Sequence, residues 1–388
     1  MASASLLNPS ELKRIHQEFL SALNSNPNVF AQQAYKSLNL FFTNNPLLCS
    51  AVDHSQTYLE KKVGANPYIT YSATPPTAIN NLSNNSQQLA RCGGADLTQL
   101  RFIGSDPFTN ETIISYCLED LALPTLSLAQ LGFLCNNSGY LLYPAGGIPL
   151  SEFGSDTELE FLLTGGQIDT EFLFDIFNQV LLTVDHLQSI YSFTHGALTT
   201  ENILIVPRPV NYSSSALALS ASFTCQITNF SSAAITIPLG LDRAKHRIYS
   251  LGDNPRSTQI LWWTIFNPQV TLYQNEYYYV IENVTVETVI AQLRHMGIPF
   301  YYSFDVYTFI ISLLMSPPIY STFFSDPFYS EMWRLMWFDN DDKIMFERIA
   351  AFHASGQKRS YETIVKLLMN IRLKCKLTST LIRFLQGR

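Results

Sequence analysis

The most regular hydrophobic pattern in the chain lies at residues 171–193, where apolar side chains recur every three or four positions. These residues are Phe172, Ile176, Val180, Val184, Leu187 and Ile190. Such spacing places all of them on one face of an α-helix and leaves the polar residues on the opposite face. The pattern predicts a long amphipathic helix whose apolar face packs against a core.

Shorter stretches with the same periodicity predict helices at residues 9–24 and 29–42. A further helix is predicted at residues 110–123, with Ile113, Cys117, Leu118 and Leu121 on one face. These segments give the chain a helical beginning and one helix ahead of its first clear strands.

Alternating patterns predict strands at residues 126–135 and 139–143, on either side of an Asn-Asn-Ser-Gly turn. Residues 100–103 are a shorter strand candidate. Residues 64–95 are rich in Asn, Ser, Pro and Gly, a composition typical of loops, and we expect them to be partly irregular. The predicted elements are therefore mixed, with helices and a strand hairpin in the same region.

The composition supports a large folded core, since 47% of the 388 residues are hydrophobic and 13% are aromatic. These values exclude global disorder. Charged residues make up only 14% of the chain, so Asn, Ser, Thr and Tyr must provide much of the surface polarity. Such a surface suits a member of an assembly, but a biased genome composition would give the same signature. Both interpretations stay open.

The charge balance argues against a general nucleic-acid interface, because the net charge is −7 and the pI about 5.5. Basic residues are concentrated only near the C-terminus: Lys366, Arg372, Lys374, Lys376, Arg383 and Arg388. They fit the solvated face of a terminal helix. The alternative is a docking surface for an acidic partner.

The cysteines are scattered and form no metal-binding spacing, so we expect free thiols in a reducing compartment and no zinc site. Near the N-terminus Lys13 and Arg14 interrupt any apolar segment that a secretory signal would need. The longest apolar runs, such as residues 306–315, are too short to span a bilayer. We therefore expect a soluble intracellular protein without a membrane span.

One motif carries specific chemistry. Residues 195–202 read His-Gly-Ala-Leu-Thr-Thr-Glu-Asn, and protein kinases carry H-R-D-L-x-x-x-N in their catalytic loop. His195, Leu198 and Asn202 match, and residues 203–204 resemble the short strand that follows. The catalytic aspartate is replaced by Ala197. The segment resembles a kinase catalytic loop that has lost its base.

Two later segments extend the resemblance in the expected order. Residues 223–231 resemble the strand and D-F-G element of kinases, with Asn229 in place of the aspartate that binds magnesium. Residues 303–314 resemble a kinase helix with the pattern S-x-D-V-Y-S-F, and the resemblance implies that Asp305 hydrogen-bonds the backbone of the catalytic loop. The predicted helix at 171–193 leads into that loop, as in kinases.

The resemblance covers residues 97–385 and implies an α+β, two-lobed protein-kinase-like fold. It implies a helical N-terminal extension at 1–62, a small β-rich lobe with an irregular start at 63–148, and a large helical lobe at 149–388. Helical segments at roughly 328–354 and 359–385 would complete the large lobe. Insertions would occupy residues 207–222 and 232–300.

The third kinase requirement, a lysine on the third strand that pairs with a helix glutamate, is also unmet. No lysine occurs between Lys62 and Lys245. Glu111 is the best candidate for the helix glutamate, and its cationic partner could only be Arg91 or Arg101. Arginine is no simple substitute, since its planar fork needs a different geometry.

Three charged roles are thus vacant, and we expect a pseudokinase that works by protein contacts, without cofactor or metal. A virion component of a large DNA virus is our hypothesis for its setting. The alternatives are an atypical active kinase, with Glu201 as substitute base, and a nucleotide-binding regulator. His195 is expected to pack and hydrogen-bond within its loop. The tryptophans at 262–263 could be core or a partner's anchor.

Overall fold

The computed structural model of the protein describes residues 62–63, 69–71, 87–92, 107–135, 138–144, 147–152, 168–207, 223–230, 233, 235–239, 244–248, 269–273, 276–280, 298–336, 341–357, 361–368, 372–374 and 378–387.

The described part of the chain combines helices with antiparallel strands. The strands are β1 (Lys62–Val63), β2 (Ile69–Tyr71), β3 (Gln87–Cys92), β4 (Leu131–Cys135), β5 (Ser138–Pro144), β6 (Ile148–Pro149), β7 (Ile203–Pro207), β8 (Phe223–Ile227), β9 (Ile235–Leu239), β10 (Ala244–Ile248), β11 (Gln269–Tyr273), β12 (Glu276–Val280) and β13 (Arg372–Lys374). The helices are α1 (Pro107–Glu119), α2 (Thr170–Tyr191), α3 (Ile298–Leu314), α4 (Pro317–Ser325), α5 (Pro327–Met336), α6 (Asp341–Ser355), α7 (Tyr361–Leu368) and α8 (Thr378–Gln386), with short 3₁₀ helices at Leu150–Glu152 and Thr200–Asn202. The predicted α+β class is confirmed.

Contacts divide the chain into two compact units. Unit 1 comprises residues 1–146 and 228–257, and unit 2 comprises residues 147–227 and 258–388. The first break falls between residues 146 and 147, and residues 228–257 group with the first unit. The domain bounds given by the sequence stay a prediction.

Unit 1 contains a five-stranded antiparallel sheet in the order β1-β2-β3-β5-β4. Helix α1 enters the sequence between β3 and β4 and packs against β4 and β5. Ile114 and Leu118 of the helix and Leu141 of β5 are fully buried. Burial of this apolar surface holds the helix on the sheet.

The prediction that residues 64–95 are irregular is wrong for β2 and β3. Strand β3 has no β-branched residue, and polar segments surround it, so local pattern gave no strand signal. Its position between β2 and β5 supplies backbone partners on both sides, from Ile69↔Cys92 to Gln87↔Pro144. Pairing distant in sequence makes this segment a strand.

The helix and hairpin predicted next are present with shifted ends. Helix α1 begins and ends earlier than the predicted range 110–123, and β4 begins at Leu131 rather than at residue 126. The backbone N–H of Ala129 donates to Ser115 Oγ of α1 at 3.0 Å, and the N–H of Leu126 donates to the Leu123 carbonyl at 3.2 Å. These residues therefore bond outside the sheet.

Helix α2 is the long helix that the periodicity predicted. Asp169 caps its N-terminus by accepting the N–H of Phe172 at 2.8 Å. The predicted apolar positions are buried from Phe172 to Leu187, but Ile190 is 48% exposed, so its assignment to the core is wrong. Ile190 lies in the last turn, where the helix ends. Helix α2 packs against α4, α8 and strand β8.

An aromatic cluster forms the interior of unit 2. Phe177 of α2 contacts Phe309 of α3 at a centroid distance of 5.6 Å, and Tyr329 of α5 at 5.8 Å. Phe323 of α4 lies between Tyr329 and Trp333, at 5.3 and 6.1 Å. These contacts join α2 to the three consecutive helices α3, α4 and α5 in one core.

The C-terminal segment is not one helix with a basic face. The range predicted as helical at 359–385 contains α7, strand β13 and α8. Lys366 lies on α7, Arg372 and Lys374 lie on β13, and Arg383 lies on α8. Strand β13 exists because residues 372–374 pair with β12, at Tyr278↔Lys374 and Val280↔Arg372. Again a long-range partner overrides a local helical pattern. The predicted range 328–354 contains α5 and α6.

Several predicted features lie outside the described residues: the helices at 9–24 and 29–42, the strand at 100–103 and the tryptophans at 262–263. The same holds for the predicted insertion at 207–222 and the predicted extension at 1–62, apart from residues 207 and 62. Within the described part of the chain, no single helix has the length and apolar character to cross a bilayer, and one pair passes only when counted together across a bend of 103°.

Candidate functional site: the 195–202 loop

Helix α2 leads into residues 195–202, here called the 195–202 loop. After the helix, Ser192 adopts a left-handed backbone (φ 48°, ψ 42°), and its N–H donates to the Gln188 carbonyl at 3.0 Å. This bond ends the helix. Phe193 is fully buried and anchors the chain as it enters the loop. The predicted succession of long helix and loop is therefore present.

Asp305 of α3 binds the start of the loop. Its buried carboxylate accepts the backbone N–H of His195 at 2.5 Å and that of Gly196 at 2.9 Å. Gly196 has φ 74°, which glycine adopts without strain. Two amide donors offset the cost of removing the carboxylate from water. This is the contact that the kinase resemblance implies for Asp305.

His195 is enclosed within the loop. Its ring is fully buried and lies edge-on to Phe193 at a centroid distance of 6.2 Å. The Nδ1 atom accepts the backbone N–H of Ala197 at 3.3 Å, which assigns the proton to Nε2 in the neutral ring. The imidazole therefore packs and hydrogen-bonds inside its own loop, in agreement with the expectation from the sequence.

Ala197, which the resemblance aligns with the kinase base, takes part in the loop through its backbone. The Nδ2 atom of Asn202 donates to the Ala197 carbonyl at 2.8 Å. This bond closes the loop across its turn, and the 3₁₀ helix at Thr200–Asn202 completes it, with the Asn202 N–H donating to the Thr199 carbonyl at 2.9 Å. Strand β7 then begins at Ile203, where the sequence predicted a strand.

A contact that the sequence did not reveal holds the far end of the loop. The backbone N–H of Thr200 donates to Ser312 Oγ at 3.0 Å. Ser312 lies on α3, the helix that also carries Asp305. A small polar residue in the apolar run 306–315 was the available signal, but nothing in the sequence indicated its partner.

Gln179 is a second buried polar residue that the sequence reading missed. It lies on the apolar face of α2, where its Oε1 accepts the Cys225 N–H at 2.8 Å and its Nε2 donates to the Phe223 carbonyl at 3.4 Å. Both partners lie on β8, one of the two outer strands of the sheet β6-β7-β8. The side-chain amide thus binds the strand as a neighbouring strand would.

Asn229 follows β8 and belongs to unit 1. It is buried and has a left-handed backbone (φ 61°), which asparagine tolerates better than most residues. Phe230 beside it is fully buried, and its carbonyl accepts the Ala233 N–H at 3.0 Å. Asn229, which the resemblance aligns with the kinase metal aspartate, is therefore a buried residue with a left-handed backbone.

Glu111 lies on α1 and is fully buried. The hydroxyl of Tyr143 on β5 donates to Glu111 Oε1 at 2.7 Å, so helix and sheet are joined by a tyrosine–carboxylate hydrogen bond. Of its expected cationic partners, Arg91 lies on the third strand of the sheet, in register with Tyr140, and Arg101 lies outside the described residues. The sequence gave no indication of Tyr143.

Glu201, the substitute base of the active-kinase alternative, is half-buried in the 3₁₀ helix, and its Oε2 atom is inaccessible to solvent. A general base must reach a substrate hydroxyl directly or through one water molecule. Among the described residues, no group of three or more His, Cys, Asp or Glu side chains is placed to hold a metal ion. The described contacts of the loop are therefore mainly hydrogen bonds that hold its conformation.

No family model matches the chain, and no curated protein matches it in sequence.

Proposed function

We propose that this protein is a catalytically inactive, kinase-like scaffold with a small β-rich and a large helical lobe, which acts through contacts with other proteins. One observation carries the proposal. The 195–202 loop is held by Asp305 and closed by the bond from Asn202 to the Ala197 carbonyl, while the position of the catalytic base carries a methyl group. The loop thus keeps a defined shape without the carboxylate that its chemistry would need.

The order of elements supports a kinase-like architecture. In kinases the third strand carries a lysine, and the following helix carries its glutamate partner. Here β3 is followed by α1 with Glu111, then by the β4–β5 hairpin, helix α2 and the 195–202 loop. Strands β7 and β8 come next. They are followed by the pair Asn229-Phe230, which the resemblance aligns with the D-F-G element.

The missing charges support inactivity. Phosphoryl transfer is mainly positioning and neutralisation of charge. Ala197 cannot accept a proton, and the neutral amide of Asn229 supplies none of the negative charge that favours Mg²⁺. Strand β3 carries Arg91 and no lysine. Loss of one catalytic group costs several kcal/mol of transition-state stabilisation, and three such positions are changed.

The low share of charged residues, 14% of the chain, and the abundance of aromatic and Asn residues support a place in a protein assembly. We extend the proposal to a component of the virion of a large DNA virus. Mass spectrometry of purified virus particles and detection with an antibody against this chain test that extension. Absence of the protein from the particles would contradict the virion setting and leave the scaffold proposal standing.

A thermal-shift titration with ATP tests the proposed function, with and without Mg²⁺ or Mn²⁺. The scaffold proposal predicts no change in the melting temperature under any of these conditions. A rise that is independent of metal would instead indicate a nucleotide-binding regulator. A rise that requires the metal would show that the protein binds the metal–nucleotide complex, which would reopen catalysis and overturn the proposal of a scaffold.

A further inference from the structure

Ser312 makes two hydrogen bonds in the interior of unit 2. Its Oγ accepts the backbone N–H of Thr200 at 3.0 Å and donates its own proton to the Phe309 carbonyl at 2.7 Å. Both Ser312 and Thr200 are buried. A buried amide left without an acceptor is costly, so this hydroxyl has a specific partner to satisfy.

The bond lies at a particular place in the loop. Asp305 and Ser312 are seven residues apart on α3, about two helical turns, and so lie on the same face of that helix. Asp305 holds the amides of His195 and Gly196, where the loop begins. Ser312 holds the amide of Thr200, where the 3₁₀ helix begins. The two side chains bracket the segment from Ala197 to Thr199.

We propose that Ser312 is a positioning residue that fixes the second half of the 195–202 loop, as Asp305 fixes the first half. Attachment to one helix at two points gives the loop a single conformation that needs neither nucleotide nor metal. This inference rests on the proposed scaffold function, because a binding partner is served by a surface that is already in shape.

Residue-resolved hydrogen exchange in the full-length protein, without nucleotide, tests the role of Ser312. In Ser312→Ala we expect the Thr200 amide to exchange roughly tenfold faster, while the amides of His195 and Gly196 keep their protection. Equal exchange at Thr200 in both proteins would overturn the inference. So would a uniform rise across the loop, which would indicate general loosening of unit 2.

Ser355→Ala is the matched control. Ser355 makes the same pair of bonds at the end of α6, where its Oγ donates to the Phe352 carbonyl at 2.8 Å and accepts the Gln357 N–H at 3.3 Å. Its replacement should leave exchange at Thr200 unchanged.

Thr200→Pro is a second, independent test, because it removes the donor of the hydrogen bond instead of its acceptor. Proline is accepted at the first position of a helix, and Thr199 before it is extended (φ −124°, ψ 165°), as a residue preceding proline must be. The substitution removes the N–H that Ser312 binds. We expect Ser312→Ala to lower the melting temperature of the parent by more than that of Thr200→Pro, because the bond to the Phe309 carbonyl is lost in both backgrounds and the bond to Thr200 only in the parent. Equal losses in both backgrounds would overturn the contact.

Repeating the exchange experiment with ATP and Mg²⁺ separates the two proposals. The scaffold function predicts the same protection of the loop with and without them. Added protection would overturn the scaffold function, whereas the comparison of Ser312→Ala with its parent is made in nucleotide-free protein and stands or falls on its own.

Discussion

At the scale of single residues, the 195–202 loop is shaped by hydrogen bonds to backbone groups. Asp305, Asn202 and Ser312 each bind a main-chain atom of the loop. Position 197 carries only a methyl group. A substitution in this region should therefore change stability and loop order more than any chemistry.

Replacing Asp305 with Ala removes the acceptor of two buried amides. We expect the free energy of unfolding to fall by about 3 kcal/mol, because hydrogen bonds to a charged group contribute more than neutral ones. Urea denaturation measures the loss. Asp169→Ala is the control, since Asp169 caps α2 through one amide and its loss should cost about 1 kcal/mol. Equal costs for the two variants would contradict the role assigned to Asp305.

Cys117 of α1 gives a prediction for pH. Burial raises the pKa of its thiol from the ordinary 9.0 to about 12, and the charge of Asp120 adds to the rise. Because the folded-state pKa is the higher one, the thiol's contribution to stability is complete below pH 9 and is lost as the pH rises toward 12. Between pH 8 and pH 10, the free energy of unfolding should therefore fall by about 1 kcal/mol less in Cys117→Ala than in the parent. Parallel denaturation profiles would exclude this effect.

At the scale of elements, α2 binds the outer strand β8 on the side where, among the described strands, β8 has no neighbour. Gln179 offers an acceptor and a donor on one side-chain amide, and it binds the Cys225 N–H and the Phe223 carbonyl as a peptide group would. The helix thus covers the edge of the sheet β6-β7-β8 and fixes the position of β7, which follows the 195–202 loop directly.

Gln179→Leu keeps the volume of the side chain but leaves both strand groups without this partner. We expect a loss of about 2 kcal/mol of stability in urea denaturation. Asn178→Leu serves as the comparison, since Asn178 is the half-buried neighbour on the same helix and its replacement should change stability by less than about 0.5 kcal/mol. If both variants cost the same, the amide of Gln179 has no special role.

At the scale of the whole molecule, the three positions at which the proposed kinase resemblance lacks a charge belong to two different units. Ala197 lies in unit 2, whereas Asn229 and the lysine-free strand β3 lie in unit 1. Catalysis would need all three positions at once, since base, metal and phosphate contacts act together in phosphoryl transfer. Restoring two of the three positions should therefore restore no activity.

We expect the pair Ala197→Asp and Asn229→Asp to show no transfer of radiolabelled phosphate from ATP, because the phosphate lysine is still absent. The parent protein and the pair with Arg91→Lys added are measured beside it. Transfer by the pair alone would mean that Arg91 or another group of unit 1 can replace the lysine, and it would weaken the scaffold proposal.

The sequence by itself determined the features that depend on local pattern. Helix α2 follows from its apolar periodicity and the β4–β5 hairpin from alternation around a turn, since period and face are set by neighbours in sequence. The resemblance of short segments to kinase motifs also predicted that Asp305 binds the backbone of the 195–202 loop. The absence of a carboxylate at 197 needs no structure at all.

Only the tertiary structure decided the features that depend on distant partners. Strands β3 and β13 exist because β2, β5 and β12 supply their hydrogen bonds, although their own residues indicate a loop and a helix. In the same way, Ser312 and Gln179 look like ordinary polar residues until Thr200 and Cys225 are seen beside them. The structural role of a buried polar group depends on its hydrogen-bond partner, and only the fold brings the two together.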